Sequence, residues 1–250
     1  MPNISMLDKN VLLTGGAQGL GEAMLRTFSA SGATGIVLDK IAPAQLPSGW
    51  VYINCDLTNE RATSAAFESI PVHLRKIDVL LANAGMVPAW STIAATPLTI
   101  WDDVMALNSR GLFITLKESF DLLRKPGASI VITASLNSWK GDENIVPYVA
   151  SKHAALGVMR SAALDFGRSG IRVNAIAPGP VATQALLSRI KKRNGADEDA
   201  FQSALEKLAK STALGRLATV DDVANTALFL SSDLANGITG QMINVDAGVM

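Results

Sequence analysis

The chain has very few of the residues that build disulfides and soft-ligand metal sites. Among 250 residues there is one cysteine, Cys55, and there are two histidines, His73 and His153. A single cysteine cannot form an internal disulfide, and so small a set of soft ligands predicts no metal site. We therefore expect a chemistry that uses neither a structural disulfide nor a metal ion.

An excess of charge of one sign and long apolar runs are also lacking. Lys plus Arg and Asp plus Glu both number 22, and no uninterrupted apolar stretch approaches the roughly 18 residues of a membrane span. The balance of charge predicts neither nucleic acid nor anionic lipid as a partner. The N-terminal residues show no apolar segment followed by a small-residue cleavage site, so we expect a cytoplasmic protein that binds no membrane.

Apolar residues, by contrast, make up 48% of the chain, enough for a large core. Short β-rich runs alternate with longer helical patterns, which predicts crossover units and a parallel sheet covered by helices on both faces. The predicted strands are Val11–Thr14, Ile36–Asp39, Val51–Asp56, Val79–Asn83, Ser129–Ser135, Arg172–Ala177 and Met242–Val245. The predicted helices begin near Leu20, Glu60, Thr99, Pro147 and Val220. No linker divides residues 1–250, so we expect one α/β domain.

Two connections depart from this alternation. Residues 39–51 contain Pro43 and Pro47, which leave little room for a crossover helix, so a loop or a single turn is expected there. Residues 183–216 are too long for a plain connection and hold the densest charges, at positions 189–199. We predict that this segment is a lid over an active site, with a solvated helical excursion as the alternative.

A glycine-rich turn follows the first strand. Residues 14–21 read Thr-Gly-Gly-Ala-Gln-Gly-Leu-Gly and open a helix-compatible segment. Residues without a Cβ let the backbone approach a pyrophosphate closely, and the free N–H groups of the new helix then face the phosphates. We assign Gly15, Gln18, Gly19 and Leu20 to cofactor binding, against the alternative of a purely structural turn.

An acidic residue ends the second strand. Asp39 lies 24 residues beyond Gly15, where its carboxylate can accept hydrogen bonds from both hydroxyls of an adenine ribose. The same charge would repel a 2′-phosphate, so NAD is favoured over NADP. The adjacent Lys40 can offset part of that repulsion, which leaves NADP as the alternative.

Four polar side chains describe a proton-handling site. Tyr148 and Lys152 stand at i and i+4, so on a helix they share a face, and the ammonium can favour the ionised phenol. Ser135 lies 13 residues before Tyr148, and Asn108 lies 40 before it. A tyrosine ionises near pH 10, so acid/base work near neutrality requires its pKa to fall by roughly three. One lysine alone does not supply that change.

Together these residues resemble the short-chain dehydrogenase/reductase family over essentially the whole chain. The matching elements are Thr14-Gly-x-x-x-Gly-x-Gly21, Asp56-Leu-Thr58, Asn83-Ala-Gly85, Asn108, Ser135, Tyr148-x-x-x-Lys152, Asn174 and Pro178-Gly-Pro-Val-Ala-Thr183. Ala82 departs from the pattern, because the family often has an asparagine there. The resemblance implies a single doubly wound Rossmann domain with seven parallel strands, hydride transfer at the nicotinamide C4, and a homotetramer or homodimer.

The resemblance also implies roles for individual residues. Tyr148 is expected to be the acid/base, Lys152 to lower its pKa and bind the nicotinamide ribose, and Ser135 to donate a hydrogen bond to the substrate oxygen. Asn108 is expected to hold a water that links Lys152 to solvent. The implied cofactor contacts are Asp56, Leu57, Asn83, Ala84, Gly85, Tyr148, Lys152, Pro178, Gly179, Val181 and Thr183.

The substrate is expected to contact the loops after the fourth and fifth strands and the lid. Trp90 and Trp139 are candidates to stack on a ring, and Asn137 and Asn144 to bind hydroxyls, although surface tryptophans packed on loops have the same appearance in a sequence. The mixture suggests a small secondary alcohol, cyclic or polyhydroxylated. The alternatives are an NADPH-dependent ketone or 3-oxoacyl reductase of the same family and a non-catalytic NAD-binding regulator.

Overall fold

The computed structural model of the chain describes residues 4–194 and 197–249. Its centre is a sheet of seven strands. They are β1 (Asn10–Thr14), β2 (Thr34–Asp39), β3 (Trp50–Asn54), β4 (Val79–Ala82), β5 (Ser129–Thr133), β6 (Arg172–Pro178) and β7 (Met242–Val245). All neighbours pair in parallel in the order β3-β2-β1-β4-β5-β6-β7. The seven predicted strands and the parallel sheet are confirmed.

Helices cover both faces of the sheet, as expected for strands that are apolar on both sides. The helices are α1 (Gly19–Ala30), α2 (Glu60–Glu68), α3 (Leu98–Met105), α4 (Leu112–Ser119), α5 (Val146–Gly167), α6 (Gln184–Asn194), α7 (Glu198–Lys210) and α8 (Val220–Ser231). One buried apolar cluster lies between the sheet and α1 and α8, and a second lies between the sheet and α2, α4 and α5. The fold is therefore doubly wound, as the sequence predicted.

Three predicted strands end earlier than expected: β4 ends one residue early, and β3 and β5 end two residues early, which bears on function. β3 ends at Asn54 and β5 ends at Thr133, so Asp56 and Ser135 lie just beyond the carboxyl edge of the sheet. There a side chain faces the crevice above the strands instead of a neighbouring strand. In open α/β sheets ligands bind in that crevice, at the point where the strand order reverses. Here the reversal falls between β1 and β4.

The two irregular connections fold differently from one another. Residues 40–49 form turns without a helix, as the two prolines predicted. Residues 183–216 instead contain α6 and α7, and the Asp197 carboxylate caps α7 by accepting from the Ala200 N–H at 3.0 Å. A β-bridge between Val181 and Ala218 holds the ends of this excursion together. Within the described residues, no helix is long and apolar enough to cross a membrane.

Candidate active site

A cleft of about 750 Å³ opens above the carboxyl edge of the sheet, next to the glycine-rich turn. Most of the residues that the sequence assigned to a cofactor line it. They are Gly15, Gln18, Gly19, Leu20, Asp39, Leu57, Asn83, Ala84, Gly85, Tyr148, Lys152, Pro178, Gly179, Val181 and Thr183, and Ser135 of the predicted catalytic set lines the cleft as well. Of the predicted set, Asp56 and Asn108 do not line the cleft.

The glycine-rich turn has no room for side chains. Gly15 adopts φ +68°, and a Cβ there would lie 2.7 Å from the Ala84 Cα. A Cβ on Gly21 would collide with the carbonyl oxygen of Gly15. The turn can therefore pack this tightly against the start of α1 and the end of β4 only with glycine at these positions. The backbone of the turn is left facing the cleft, which is the arrangement a pyrophosphate requires.

Asn83 braces this turn from the neighbouring strands. Its Nδ2 donates to the Gly15 carbonyl at 2.8 Å, and its Oδ1 accepts from the Thr133 hydroxyl at 3.0 Å. The Thr14 hydroxyl accepts from the backbone N–H groups of Asn83 and Ala84 at 3.1 and 3.2 Å. The side chain of Asn83 therefore ties the turn to β5, and its contribution to a ligand is mainly the shape of the cleft wall.

Two carboxylates lie near β2 and β3, Asp39 in the lining of the cleft and Asp56 outside it. Asp39 accepts from the backbone N–H of Ala17 at 3.0 Å and from that of Ile41 at 3.2 Å. Asp56 accepts from Thr58 and forms an ion pair with Lys40 at 3.0 Å. Burial raises the pKa of Asp56, but the hydrogen bonds from Thr58 and Lys40 outweigh it, so the net pKa is lowered. Asp56 is thus charged and is the ion-pair partner of Lys40.

Tyr148 and Ser135 meet at the other end of the cleft. Ser135 is the N-cap of a short 3₁₀ helix and accepts from the Asn137 N–H at 3.1 Å. Its hydroxyl also hydrogen-bonds to Tyr148. Burial raises the pKa of the Tyr148 phenol, while the Ser135 hydrogen bond and the charge of Arg189 lower it, and the net effect is a raised pKa. The protein groups alone do not activate this tyrosine.

Lys152 lies one turn further along α5 and is 5% exposed. Its Nζ donates to the Thr133 carbonyl at 2.7 Å and lies 5.6 Å from the centre of the Tyr148 ring. Burial lowers the pKa of Lys152 to about 8. The side chain remains mostly protonated at neutral pH, so an ammonium lies beside the Tyr148 ring.

Asn108 lies in a π-helical turn, Ala106–Gly111, that joins α3 to α4. Its Oδ1 accepts from the Met86 N–H at 2.8 Å, and its Nδ2 donates to the Met86 carbonyl at 2.9 Å and to the Ser151 hydroxyl at 3.0 Å. Both amide hydrogens are therefore used to fix the loop after β4 against α5. A proton path at Asn108 would have to use the second lone pair of Oδ1 or the backbone carbonyl.

A second cavity, of about 650 Å³, continues from Tyr148 under the excursion formed by α6 and α7. Its polar lining consists of Ser135, Asn137, Asp142, Tyr148, Arg189, Lys207 and Ser211, and its apolar lining includes Val87, Trp90, Ile145, Leu186 and Ile190. The guanidinium of Arg189 lies 5.1 Å from the Trp90 ring centre. The cavity is shared between the sheet edge, the loop before α5 and both helices of the excursion.

Comparison with known proteins decides the family. Residues 15–250 match the family model described as enoyl-(acyl carrier protein) reductase. The (-)-isopiperitenol/(-)-carveol dehydrogenase of Mentha piperita is 32% identical over 254 residues, which cover 96% of this chain and 93% of that protein. The chain belongs to the short-chain dehydrogenase/reductase family. It is accordingly an NAD(P)-dependent oxidoreductase acting on CH–OH groups.

Solved structures of this short-chain dehydrogenase/reductase family agree with the fold. The aldohexose dehydrogenase of Thermoplasma acidophilum superimposes with a TM-score of 0.91 at 28% identity, covering 98% of this chain and 94% of the other. Carveol dehydrogenase from Mycobacterium avium, in complex with NAD, superimposes with a TM-score of 0.88 at 25% identity, covering 97% and 98%.

The predicted substrate residues of this family member are only partly brought together. Trp90 and Asn137 line the cavity under the excursion. Trp139 is 54% exposed and lies outside that lining, and Asn144 does too. The prediction that the latter two face the substrate is therefore not supported by their positions. Arg189, which was not singled out by the sequence, is brought next to Tyr148 instead.

The buried Lys152 of this dehydrogenase predicts a dependence of stability on pH. Burial lowers its pKa to about 8 in the folded chain, against 10.5 for an ordinary lysine. Between pH 8 and pH 10.5, Lys152 is mostly neutral in the folded state but mostly protonated in the unfolded state, so the free energy of unfolding rises with pH in this range. The contribution of Lys152 to stability is therefore full above pH 10.5 and is lost as the pH falls towards 8. From pH 7 to pH 9.5, the free energy of unfolding should rise by about 2 kcal/mol relative to Lys152→Met.

Denaturant unfolding of both proteins at the two pH values, without nucleotide, measures this difference. Comparing the two variants at each pH removes the contribution of all other titrating groups. A difference that stays constant from pH 7 to pH 9.5 would show that Lys152 titrates alike in the folded and unfolded chains.

Proposed function

We propose that the chain is an NAD-dependent dehydrogenase that interconverts a small secondary alcohol and its ketone, with Tyr148 as the acid/base. The observation that carries the proposal is the contact between Tyr148 and Ser135 where the two cavities meet, with the ammonium of Lys152 one helical turn behind the phenol. A nucleotide in one cavity and an alcohol in the other would meet at that hydroxyl pair. The named dehydrogenases among the relatives support an alcohol as the substrate.

The wall of the larger cleft fits a nicotinamide dinucleotide. Because the glycines of the turn have no Cβ, the backbone of the turn faces the cleft directly. Asp39 presents a carboxylate at the adenosine end. We assign the phosphates to the turn at Gly15, Gln18, Gly19 and Leu20. Asp56 and Leu57 are assigned to the adenine, Asn83, Ala84 and Gly85 to the adenosine ribose and diphosphate, and Pro178, Gly179, Val181 and Thr183 to the carboxamide.

The assigned chemistry follows from what each side chain can donate or accept. A bound NAD supplies the acceptor for the hydride that leaves the carbinol carbon. The Tyr148 oxygen takes the hydroxyl proton as the carbonyl double bond forms, and Ser135 donates a hydrogen bond to the same substrate oxygen. Lys152 stabilises the phenolate electrostatically and is positioned for the nicotinamide ribose. Asn108 acts as a positioning residue that holds the loop after β4 in place.

NAD is proposed over NADP because of how the charges at β2 are paired. Asp39 is fixed by two backbone N–H groups, so its carboxylate stays at the edge of the cleft. Lys40, the residue that could compensate a 2′-phosphate, is committed to Asp56 at 3.0 Å. A 2′-phosphate would therefore lie next to the fixed carboxylate of Asp39. Lys40, the neighbouring cation, is already paired with Asp56.

Removing the Asp39 charge should change the cofactor preference. For Asp39→Asn, the ratio of kcat/KM with NAD to kcat/KM with NADP should fall about ten- to a hundredfold, because one repulsive charge and one acceptor for the ribose are lost. Steady-state kinetics with both nucleotides measure the ratio. Asp8→Asn, which removes an exposed carboxylate remote from the cleft, is the matched control. An unchanged ratio in Asp39→Asn would remove the role assigned to this carboxylate.

Residues 183–216 are proposed to act as a substrate lid on a single catalytic domain of residues 1–250. α6 and α7 together supply Leu186, Arg189, Ile190, Ala204, Lys207 and Leu208 to the cavity beside Tyr148. The alternative, a solvated helical excursion, does not explain why apolar side chains of this set line the cavity, namely Leu186, Ile190, Ala204 and Leu208. We also propose a homotetramer or homodimer, since large apolar side chains are exposed on neighbouring helices, at Leu98 of α3, Phe113 of α4 and Leu164 of α5.

The competing function is reduction of a ketone or 3-oxoacyl group with NADPH. The description of the matched family model as a reductase favours it. The third alternative, a non-catalytic regulator, is not retained, because the chain is an oxidoreductase of its family and keeps Asn108, Ser135, Tyr148 and Lys152.

A screen of secondary alcohols and ketones, followed at 340 nm with NAD(H) and NADP(H) in parallel, separates the candidates. The proposal predicts the highest kcat/KM with NAD(H) and a small cyclic or polyhydroxylated alcohol. A preference for NADPH with ketones or 3-oxoacyl thioesters would favour the reductase, and no turnover of any alcohol or ketone would contradict both.

A further inference from the structure

Arg189 is held inside the substrate cavity with part of its guanidinium unpaired. Its Nε and Nη1 are buried and have no hydrogen-bond partner within the described part of the chain. Leaving buried N–H donors of a charged group unpaired is costly, so such a group in a cavity indicates a missing acceptor. The guanidinium also lies over Trp90, with 5.1 Å to the ring centre, which limits where it can turn.

The position of Arg189 is a consequence of the amphipathic pattern of α6. Leu186, Arg189 and Ile190 stand at i, i+3 and i+4, so they share one face of the helix. Ile190 is buried and all three line the cavity. Lys191 and Lys192, by contrast, are exposed and absent from the lining. The helix therefore directs Arg189 inward and leaves Lys191 and Lys192 in solvent.

The charges around the cavity leave an excess of positive charge. Its ionisable lining groups, apart from Tyr148, are Arg189, Lys207 and Asp142. Asp142 is close enough to influence the pKa of Arg189, but its own side chain is exposed and accepts from Asn137 at 3.3 Å. Burial lowers the pKa of Arg189, and the charges of Tyr148 and Asp142 oppose that effect. Lys207 is exposed as well, whereas Arg189 is half-buried, so Arg189 is the cation of this lining that an anionic ligand group would balance most directly.

We propose that Arg189 selects a substrate that carries a carboxylate on the same small molecule as the reacting secondary alcohol. This inference rests on the proposed function, because it places the carbinol at Tyr148 and Ser135 and the carboxylate at Arg189. A carboxylate supplies two acceptors in the plane that a guanidinium presents, which a hydroxyl does not. Arg189 is thus a specificity-determining residue for a hydroxy acid or the corresponding oxo acid.

The test compares substrates that differ only in charge. The 2-, 3- and 4-hydroxycyclohexanecarboxylates span three distances between carbinol and carboxylate, and the corresponding carboxamides are neutral analogues of nearly the same shape. For at least one isomer, wild-type kcat/KM should be about tenfold or more higher for the acid than for the amide. Arg189→Gln should lower kcat/KM for that acid roughly ten- to a hundredfold more than for the amide, and the smaller loss for the amide reports the effect of the Arg189 charge on Tyr148.

Two further variants separate charge from geometry. Lys191→Gln removes a cation from the exposed side of the same helix, so it should retain the wild-type preference for the acid. Arg189→Lys keeps the charge without the planar pair of donors and should recover only part of the preference. Equal losses for acid and amide in Arg189→Gln would overturn the inference, as would a wild-type enzyme that does not distinguish the acid from the amide.

A binding measurement needs no turnover, so it tests this inference independently of the proposed reaction. Cyclohexanecarboxylate, titrated in the presence of NAD, should quench the Trp90 fluorescence saturably, with the signal assigned by subtraction of Trp90→Phe. Arg189→Gln should weaken that binding about tenfold or more, while cyclohexanecarboxamide should bind the two proteins alike. Carboxylate binding without alcohol turnover would contradict the proposed function alone. Turnover of neutral alcohols without any carboxylate effect would contradict the inference alone.

Discussion

Tyr148→Phe is expected to lower kcat by about a thousandfold or more while changing the Kd for NAD by less than about threefold. The substitution removes the oxygen that exchanges a proton with the substrate, and a positioned general acid/base contributes about 10² to 10⁴ in rate. The ring that lines the cleft is retained, so the cofactor wall keeps its shape. Steady-state turnover at 340 nm and NAD titration by calorimetry measure the two effects separately.

Tyr52→Phe is the matched control for this substitution. The chain has two tyrosines, and the Tyr52 hydroxyl donates to the Asp39 carbonyl at 3.2 Å, away from Ser135. Its loss should leave kcat within about threefold of the wild type, since a neutral hydrogen bond at the surface contributes little. If Tyr148→Phe kept more than a tenth of the wild-type kcat, another group would have to be the acid/base.

Lys152→Met is expected to lower kcat about a hundredfold and to weaken NAD binding about tenfold. Burial raises the pKa of Tyr148 more than the Ser135 hydrogen bond and the charge of Arg189 lower it, so we expect its ionisation to need additional positive charge near the ring. Lys152 is the cation beside its ring, at 5.6 Å from Nζ to the centre. Methionine has a similar length but neither the charge nor the donors, so both the phenolate and the proposed ribose contact are lost.

Lys152→Arg serves as the comparison, because it keeps a positive charge at the same position. It should retain more kcat than Lys152→Met, even though the larger group cannot make the same contact with the Thr133 carbonyl. A normal kcat in Lys152→Met would contradict the electrostatic role. A lowered kcat with an unchanged Kd for NAD would contradict only the ribose contact.

Those features of the fold and site that depend on local sequence were predictable. The seven strands, the glycine turn and the absence of a helix in residues 40–49 follow from apolar runs, missing Cβ atoms and proline. The pairing of Tyr148 with Lys152 follows from helical spacing alone. Because strands of a parallel sheet end at one edge, the residues after β1, β4 and β5 are brought together once the strands are placed correctly.

The remaining features depend on contacts between segments that are distant in the sequence. The ion pair of Lys40 with Asp56 could not be predicted, although it bears on the cofactor preference, because it joins residues from two strand ends. The use of Asn83 and Asn108 as braces likewise depends on where the Gly15 and Met86 backbones lie. The inward position of Arg189 did have a signal, since it lies between Leu186 and Ile190 on an apolar face, but the surrounding charged run concealed it.

The most direct test of the central claim is the fate of a hydrogen atom on the carbinol carbon. A secondary alcohol that the enzyme oxidises is labelled with deuterium at that carbon, and the nucleotide product is examined by mass spectrometry and NMR. We predict one deuterium per molecule of reduced nucleotide, located at C4 of the nicotinamide, and no measurable transfer by Tyr148→Phe. Loss of the label to water, or equal transfer by both proteins, would contradict the account.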